Sequence, residues 1–318
     1  MKKLLVLVAV LLIGSIQYAA AQDQFPDPNE PIRLLNPYGA GGAVDITARI
    51  LASVAPEYLD TRLDVVSMPG AGGQEAINFV ADQQPDGHTL LITDYGPLIT
   101  TALQEQVAYD LADWVAIVQI TEVVPVFFVR SDSDIQTLED WIVAAQEAPG
   151  SLSIGHGRHL SVPHLPLILF EQQANIENTH IPTTGGAEAL AFVLGGQVDI
   201  GASVPSTIAG SVDAGDVIPL AVASAERVAA LPDTPTLSEL GYDVVLPAWY
   251  TVFAHVDVPE ERRQVLEEKI IEALNSESAQ ALGARSGVEI ETHRGEYSQT
   301  AYERTIENLE AILATVEE

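Results

Sequence analysis

The chain has 318 residues, no cysteine, and 45 acidic against 14 basic side chains, which gives a formal net charge of −31. Such a charge argues against nucleic acid and against anionic membrane surfaces as partners. The absence of cysteine excludes a disulfide framework and a lipid attached through a cysteine. A chain of this length is expected to form two domains.

The first 21 residues are predicted to be a secretory signal peptide. Lys2 and Lys3 provide the positive start, residues 4–13 are apolar, and residues 19–21 end in the small-residue pattern of a cleavage site. The apolar segment is too short to span a bilayer. We therefore expect a protein that is exported to the periplasm, with no segment inserted in the membrane after cleavage.

From residue 31 onward, strand-like and helix-like segments alternate, which is typical of α/β units with parallel sheets. Thr121 and Glu122 are expected to separate two of the strands. The predicted strands are residues 32–35, 63–66, 88–93, 115–120, 124–129, 151–154, 198–202, 217–223 and 252–255. The predicted helices are residues 44–59, 74–83, 138–147, 163–173, 187–194, 259–275 and 297–316.

No segment rich in proline or serine separates two halves of the chain. Two domains without such a linker are expected to be joined by strands that cross between them, near residues 123–128 and 249–253. We therefore expect one domain over residues 22–122 and 250–318, and a second over residues 123–249. Trp249 and Tyr250, at the second crossing, would either line a cleft or pack in the hinge.

Two copies of one short sequence, Gly-Ala-Gly-Gly, stand between a predicted strand and a predicted helix, at residues 39–42 and 70–73. Such a turn leaves backbone N–H groups uncovered at the positive end of a helix, where anions bind. Neither copy continues as a P-loop, and Val44 and Glu75 interrupt the glycine pattern of a dinucleotide site. Each copy alone is compatible with an ordinary tight turn, but two on neighbouring parallel strands favour one shared site for a small carboxylate.

Several polar residues are interpreted as structural. Asp45 lies in the first turn of a predicted helix, where a carboxylate is favourable, and Arg49 follows at the spacing of an ion pair. His156, His159 and His164 lie within nine residues, but no cysteine and no shared helix face supports a metal site. His159 is instead expected either to line a ligand cleft or to pack in the protein. We expect no metal and no cofactor.

An enzyme is not expected from the motifs. The sequence from residue 201 to 205 lacks the final glycine of the serine-hydrolase elbow. No pair of carboxylates has a spacing that indicates glycoside cleavage.

Five motifs follow one another over nearly the whole chain after the signal peptide. They are Pro-Tyr-Gly-Ala-Gly-Gly at residues 37–42 with Asp45 and Ala48-Arg49, Pro-Gly-Ala-Gly-Gly at 69–73, Pro-Asp-Gly-His-Thr-Leu at 85–90, Leu-Gly-Gly-Gln-Val-Asp at 194–199, and Leu-Pro-Asp-Thr-Pro-Thr-Leu-Ser-Glu-Leu-Gly at 231–241. With these motifs the chain resembles the extracytoplasmic substrate-binding proteins of tripartite tricarboxylate transporters, the Bug family.

The resemblance implies an α/β, two-domain periplasmic-binding-protein fold, also called a Venus flytrap, with crossover strands between the domains. It implies that the protein captures a small organic carboxylate in the interdomain cleft and delivers it to the permease subunits of a tripartite membrane transporter. We expect a monomer. An alternative, in which the protein senses its ligand and docks on a membrane sensor kinase, stays open from the sequence.

The resemblance also implies which loops contact the ligand. The two glycine loops would hold one carboxylate, partly through water, and the second domain would add residues 153–164, 183–187 and 203–207. The chain departs from the family pattern at Thr184, where a lysine or arginine is usual, and at Asp94. The residues expected to bind the ligand are Tyr38, Gly39, Ala40, Gly41, Gly42, Ala43, Val44, Gly70, Ala71, Gly72, Gly73, Gln74, Asp94, Tyr95, Arg158, His159, Ser161, Thr183, Thr184, Gly185 and Ser203.

Overall fold

The computed structural model describes residues 25–316, so the predicted signal peptide at residues 1–21 lies outside the described residues. The strands are β1 Ile32–Asn36, β2 Leu63–Ser67, β3 Thr89–Thr93, β4 Trp114–Val123, β5 Val126–Arg130, β6 Ser153–His156, β7 Thr179–Pro182, β8 Ile200–Ser203, β9 Val217–Val222, β10 Ala248–His255 and β11 His293–Arg294. The helices are α1 Ala43–Val54, α2 Pro56–Leu59, α3 Gln74–Ala81, α4 Thr101–Gln104, α5 Leu138–Glu147, α6 His164–Ala174, α7 Gly186–Leu194, α8 Pro205–Asp213, α9 Glu260–Leu274, α10 Glu277–Arg285 and α11 Gly295–Val316. No helix within residues 25–316 is both long enough and apolar enough to cross a bilayer.

The strands form two mixed sheets. The first sheet has the order β11-β4-β10-β3-β1-β2, and the second has the order β7-β6-β8-β5-β9. In the first sheet β1 runs parallel to β2 and β3, and in the second β6 runs parallel to β7 and β8. The carboxyl ends of these parallel strands therefore lie together at one edge of each sheet, where ligands bind in α/β folds.

The chain passes from the first sheet to the second between β4 and β5 and returns between β9 and β10. The two crossings are adjacent, because Val123 at the end of β4 pairs with Ala248 at the start of β10. The predicted fold class, an α/β fold of two sheets joined by crossing segments, is confirmed. The domain boundaries at residues 122/123 and 249/250 stay a prediction.

The prediction that Thr121 and Glu122 separate two strands is wrong. Both residues continue β4 and pair with Tyr250 and Trp249 of β10. The strand ends before Pro125 instead, because proline has no N–H to donate to a sheet.

Other differences from the predicted elements concern short segments. The predicted helix over 44–59 is two helices, with Pro56 at the start of the second. Sequence periodicity missed α4, α8 and α10 as well as β7 and β11. Each of these elements is at most nine residues long, so it spans too few turns or alternations for a clear pattern.

Each sheet has its own apolar core. Phe127 and Val129 of β5 point to one face of the second sheet, and Val126 and Phe128 point to the other. The first sheet packs around β3, all five of whose residues are buried. Four apolar side chains that follow strands of the second sheet pack into the core of the first. They are Leu160, Val162, Leu165 and Val204.

Candidate ligand-binding site

A cavity of about 160 Å³ lies between the two sheets, at the carboxyl ends of their parallel strands. From the first sheet it is lined by the loop after β1, by Asp94 after β3, and by Tyr250 of β10. From the second sheet it is lined by the loops after β6 and β7, by the end of β8, and by the start of α8. The lining residues are Tyr38, Gly39, Ala40, Gly42, Ala43, Val44, Asp94, Gly157, Ser161, Val162, Pro163, Thr184, Gly185, Gly186, Ala187, Glu188, Ser203, Val204, Thr207 and Tyr250.

The first glycine block shapes the wall after β1. Gly41 has a φ of +82°, which glycine adopts without strain. Ala43 and Val44 form the first turn of α1, and Gly42 caps this helix without a side-chain hydrogen bond. The first backbone bond of the helix runs from Ile46 N–H to the Gly42 carbonyl. The N–H groups of Ala43 and Val44 therefore have no acceptor within the helix and lie at the cavity.

Asp45 holds this loop in place. Its carboxylate accepts hydrogen bonds from Gly41 N–H at 2.9 Å, from Arg49 Nε at 2.8 Å and from Ser67 Oγ at 3.1 Å. Burial acts to raise the pKa of Asp45, but these hydrogen bonds outweigh it and lower the pKa. The predicted Asp45–Arg49 ion pair is confirmed. The N–H of Gly41 donates to Asp45 and so stabilises the loop.

The second sheet contributes the N-terminus of α7. Gly185 caps this helix without a side-chain hydrogen bond, and its carbonyl accepts from the N–H groups of Glu188 and Ala189. The preceding N–H groups, of Gly186 and Ala187, lie in the first turn at the cavity. Two helix N-termini, one from each sheet, thus meet at the same space.

Three hydroxyl groups at the cavity are buried and have no hydrogen-bond partner within residues 25–316: those of Ser161, Ser203 and Thr207. Ser161 is 2% exposed and Ser203 is 1% exposed. A Cβ on Gly157 would come within 2.9 Å of the Ser161 hydroxyl, and a Cβ on Gly186 would overlap that of Ser203. Since buried polar atoms are nearly always hydrogen-bonded, these hydroxyls mark the place of a polar ligand or water.

Among the described residues, two charged side chains line the cavity, and both are acidic. Glu188 Oε2 accepts hydrogen bonds from the N–H of Thr184 at 2.7 Å and from its hydroxyl at 2.8 Å. Asp94 accepts from the Tyr38 hydroxyl and from Gly96 N–H. Burial raises the pKa of Asp94 to about 6, although these hydrogen bonds and the nearby Arg158 act against the shift.

The second glycine block does not line the cavity. Arg158 lies over it, with its Nε 3.0 Å from where a Cβ on Gly72 would be, and its Nη1 donates to the Gly96 carbonyl at 3.0 Å. Gln74 donates to the Pro97 carbonyl at 2.7 Å. A role for these residues in ligand binding stays a prediction. The predicted site residues outside the lining are Gly41, Gly70, Ala71, Gly72, Gly73, Gln74, Tyr95, Arg158, His159 and Thr183.

The histidines form a hydrogen-bonded chain behind the cavity. Leu160 N–H donates to His164 Nδ1 at 2.8 Å, His164 Nε2 lies 3.0 Å from His180 Nδ1, and His180 Nε2 lies 2.9 Å from Glu171. Because His164 Nδ1 accepts, its Nε2 must carry the hydrogen that points to His180. His156 stacks on His164 with ring centroids 3.8 Å apart.

The side chains of His156, His164 and His180 come within 4.8 Å of one another. A neutral ligand histidine normally donates its second ring N–H to an acceptor, and His164 cannot, because that nitrogen faces a backbone N–H. The cluster is better explained as a hydrogen-bonded core, and His159 tilts against it with its ring centroid 5.1 Å from that of His164.

Several residues that line the cavity were not among the predicted ligand-binding residues. Gly157, Val162, Pro163, Gly186, Ala187, Val204 and Thr207 lie in or between segments that the family resemblance had indicated. Glu188 lies just outside those segments. It was not predicted, because one acidic residue in such an acidic chain does not by itself indicate a site. The sequence left open whether Trp249 and Tyr250 line a cleft or pack in the hinge. Tyr250 lines the cavity, whereas Trp249 packs against His293.

Two sheets joined by crossing segments, with a ligand-sized cavity between them, are the arrangement found in two-lobed solute-binding proteins. The chain belongs to the TctC family, described as the tripartite tricarboxylate transporter family receptor, whose model matches residues 47–312. The predicted family is thus confirmed.

Relatives and solved structures agree with this family. A UPF0065 protein of Agrobacterium vitis is 30% identical over 269 residues, covering 84% of this chain and 78% of the relative. Protein BugT of Bordetella pertussis is 27% identical over 291 residues, covering 90% and 89%. An R. palustris protein solved with adipate is 27% identical, with a TM-score of 0.85 over 92% of this chain and 99% of the other.

Proposed function

We propose that this protein is an extracytoplasmic solute-binding protein that captures a small organic carboxylate between its two sheets and delivers it to the permease of a tripartite transporter. The observation that carries the proposal is the set of uncharged donors at the cavity: two helix N-termini and three buried hydroxyls that have no partner in the described part of the chain. The family and the adipate-bound relative support a carboxylate as the ligand.

The carboxylate is held without a basic side chain. The N–H groups of Ala43, Val44, Gly186 and Ala187 carry the partial positive charge of two helix N-termini, which favours an anion. The hydroxyls of Ser161, Ser203 and Thr207 can each donate one further hydrogen bond. Local donors are required, because the net charge of the protein repels anions at long range.

The cavity size limits the ligand. Its volume of about 160 Å³ is close to that of an engineered cavity of about 150 Å³ that binds benzene. We therefore infer a ligand with a short carbon skeleton.

Ligand binding closes the protein. Leu160, Val162 and Val204 follow strands of the second sheet but are buried in the core of the first, so the described arrangement is closed around the cavity. Opening would expose these side chains, at a cost of about 1.5–3 kcal/mol for each one that becomes fully exposed. We propose that residues 22–122 with 250–318 move against residues 123–249, in the hinge manner of binding proteins.

Binding without catalysis is favoured at this site. A serine nucleophile needs a base within hydrogen-bond reach, whereas the Ser161 and Ser203 hydroxyls have no partner among the described residues. The export signal at residues 1–21 directs the protein to the periplasm, where it acts as a monomer that presents the ligand to the permease.

A thermal-shift screen tests the ligand class, since a ligand that binds only the folded state raises the melting temperature. We expect small organic acids to raise the melting temperature and their primary amides, which match them in shape but lack the charge, to fail. Ser161→Ala with Ser203→Ala should remove most of the shift, whereas Ser53→Ala on the exposed side of α1 should not. Stabilisation by neutral sugars or cationic amines alone would refute the proposal.

Delivery to the permease is tested by uptake. A labelled acid identified by the screen should enter cells that express the permease subunits only when this protein is also present in the periplasm. Uptake that is equal with and without the protein would contradict the transport role.

A further inference from the structure

We propose that the ligand carries an ammonium group besides its carboxylate, and that Asp94, oriented by Tyr38, is the residue that selects it, which presupposes the carboxylate site proposed above. The ligand is then a small amino acid whose two charged groups are bound at different parts of the cavity. The carboxylate accepts hydrogen bonds from the helix N-termini and the hydroxyls, and the ammonium group pairs with Asp94.

Asp94 has acceptor capacity left at the cavity. The residue is 5% exposed and lines the cavity directly after β3. Its Oδ1 accepts from Gly96 N–H at 2.7 Å, and the Tyr38 hydroxyl lies 2.8 Å from both carboxylate oxygens. A phenol has one hydrogen to donate, so at least one lone pair of Oδ2 has no donor from these two groups.

Asp94 also lacks a cationic partner in the described part of the chain. The positive charge of Arg158 acts on Asp94, but its guanidinium donates to the Gly96 carbonyl at 3.0 Å and lies over Gly72. A buried carboxylate without a paired cation is unfavourable, and the raised pKa of Asp94, with burial as its main cause, has the same origin. An ammonium group on the ligand supplies the missing charge.

A second carboxylate on the ligand fits the same place poorly. Both charged side chains at the cavity, Asp94 and Glu188, are acidic, and like charges in a site of low dielectric repel strongly. Thr184 stands where a basic side chain could have met a second carboxylate, and its hydroxyl and N–H are used by Glu188. The charge pattern therefore favours a zwitterion over a dianion.

Calorimetry with matched ligands tests this inference. Glycine, β-alanine and 4-aminobutyrate are each compared with the acid that has a methyl group in place of the ammonium (propionate, butyrate, pentanoate) and with malonate, succinate and glutarate. We expect at least one amino acid to bind ten-fold or more tightly than its methyl counterpart and than every dicarboxylate. Asp94→Asn, nearly identical in shape, should remove that preference, so that each amino acid and its methyl counterpart bind within about three-fold of one another.

Asp94→Ser provides a second variant, with a smaller neutral side chain, in case the first is poorly folded, and the melting temperature of each variant without ligand reports on folding. The inference is overturned if a methyl acid or a dicarboxylate binds as tightly as the amino acids, or if a folded variant at position 94 keeps the preference. In those cases the carboxylate site itself stands. If no carboxylate of any kind binds the wild-type protein, the proposed function fails as well.

Discussion

The hydroxyl of Tyr38 lies 2.8 Å from each carboxylate oxygen of Asp94, which ties the loop after β1 to the end of β3 at the wall of the cavity. Tyr38→Phe removes a donor that stabilises the ionised carboxylate. We therefore expect the pKa of Asp94, already raised to about 6 by burial, to rise further. A ¹³C NMR titration of labelled aspartate side chains measures this shift.

Tyr250→Phe is the matched control for that titration. Tyr250 also lines the cavity and is buried, but the hydrogen bonds that the structure describes at Asp94 come from Tyr38 and Gly96 and not from Tyr250. Its replacement should leave the titration of Asp94 nearly unchanged. Equal shifts in the two variants would mean that the hydrogen bond from Tyr38 does not set the protonation of Asp94.

Gly186→Ala should disrupt the anion site while Gly210→Ala should not. A Cβ on Gly186 would overlap the Ser203 hydroxyl, whereas a Cβ on Gly210, in α8, would meet nothing within 4 Å. We expect the first variant to lose ten-fold or more in affinity for the carboxylate. The second should keep full affinity and gain about 0.5–1 kcal/mol of stability, because alanine favours a helix more than glycine does.

Asp45→Ala and Arg49→Ala remove the two partners of one ion pair but should differ in effect. Asp45 is buried and also holds Gly41 and Ser67, so its loss should lower the free energy of unfolding by about 1–3 kcal/mol and weaken ligand binding. The Arg49 side chain is 57% exposed, and its loss should cost less than about 1 kcal/mol. Urea denaturation and calorimetry on both variants provide the comparison; equal losses would contradict the role given to Asp45.

The histidine cluster should make the fold less stable in mild acid. Burial lowers the pKa of His156 to about 4 and that of His164 to about 2. Between pH 6.5 and about 4 the unfolded chain binds protons that the folded protein does not, so stability falls as pH falls, by about 1.4 kcal/mol per pH unit for each histidine. The raised pKa of Asp94 has the opposite effect. Between pH 6 and 3.8 the folded protein binds a proton that the unfolded chain does not, so this carboxyl group makes the fold more stable as pH falls.

Melting curves from pH 7.5 to 4.5 measure this dependence. His164→Asn keeps an acceptor for the Leu160 N–H and should reduce the pH slope of stability. An unchanged slope in a folded variant would show that His164 titrates in the folded state as it does in the unfolded chain.

The sequence alone was sufficient to predict the part of the site that is formed by one continuous segment, the loop after β1 and the start of α1. The first Gly-Ala-Gly-Gly block, the strand before it and the helix after it are adjacent in the chain, so glycine at Gly41 and an acidic residue at Asp45 were sufficient to indicate a loop with an exposed helix N-terminus. The same reasoning assigned the second block to the same space. It could not show Arg158 above Gly72, since these residues are far apart in the chain and meet only through the fold.

Other features depend on long-range contacts in the same way. Asp94 and Tyr38 are 56 residues apart, and no spacing rule connects them. Ser161, Ser203 and Thr207 are ordinary residues in the sequence. They become distinctive only because their hydroxyls are buried and have no partner among the residues that the structure describes. The mistaken end of β4 arose from the polar pair Thr121–Glu122, although Thr121 is buried in the sheet by its pairing with β10.

A crystal structure of the protein with a bound acid from the screen tests the central claim most directly. We predict that the carboxylate oxygens lie within about 3.2 Å of backbone N–H groups at the N-termini of α1 or α7 and of the Ser161 or Ser203 hydroxyl, with no arginine or lysine nitrogen within about 4 Å of them. A carboxylate held instead by the side chain of Arg158, or bound outside the cavity between the sheets, would contradict the account.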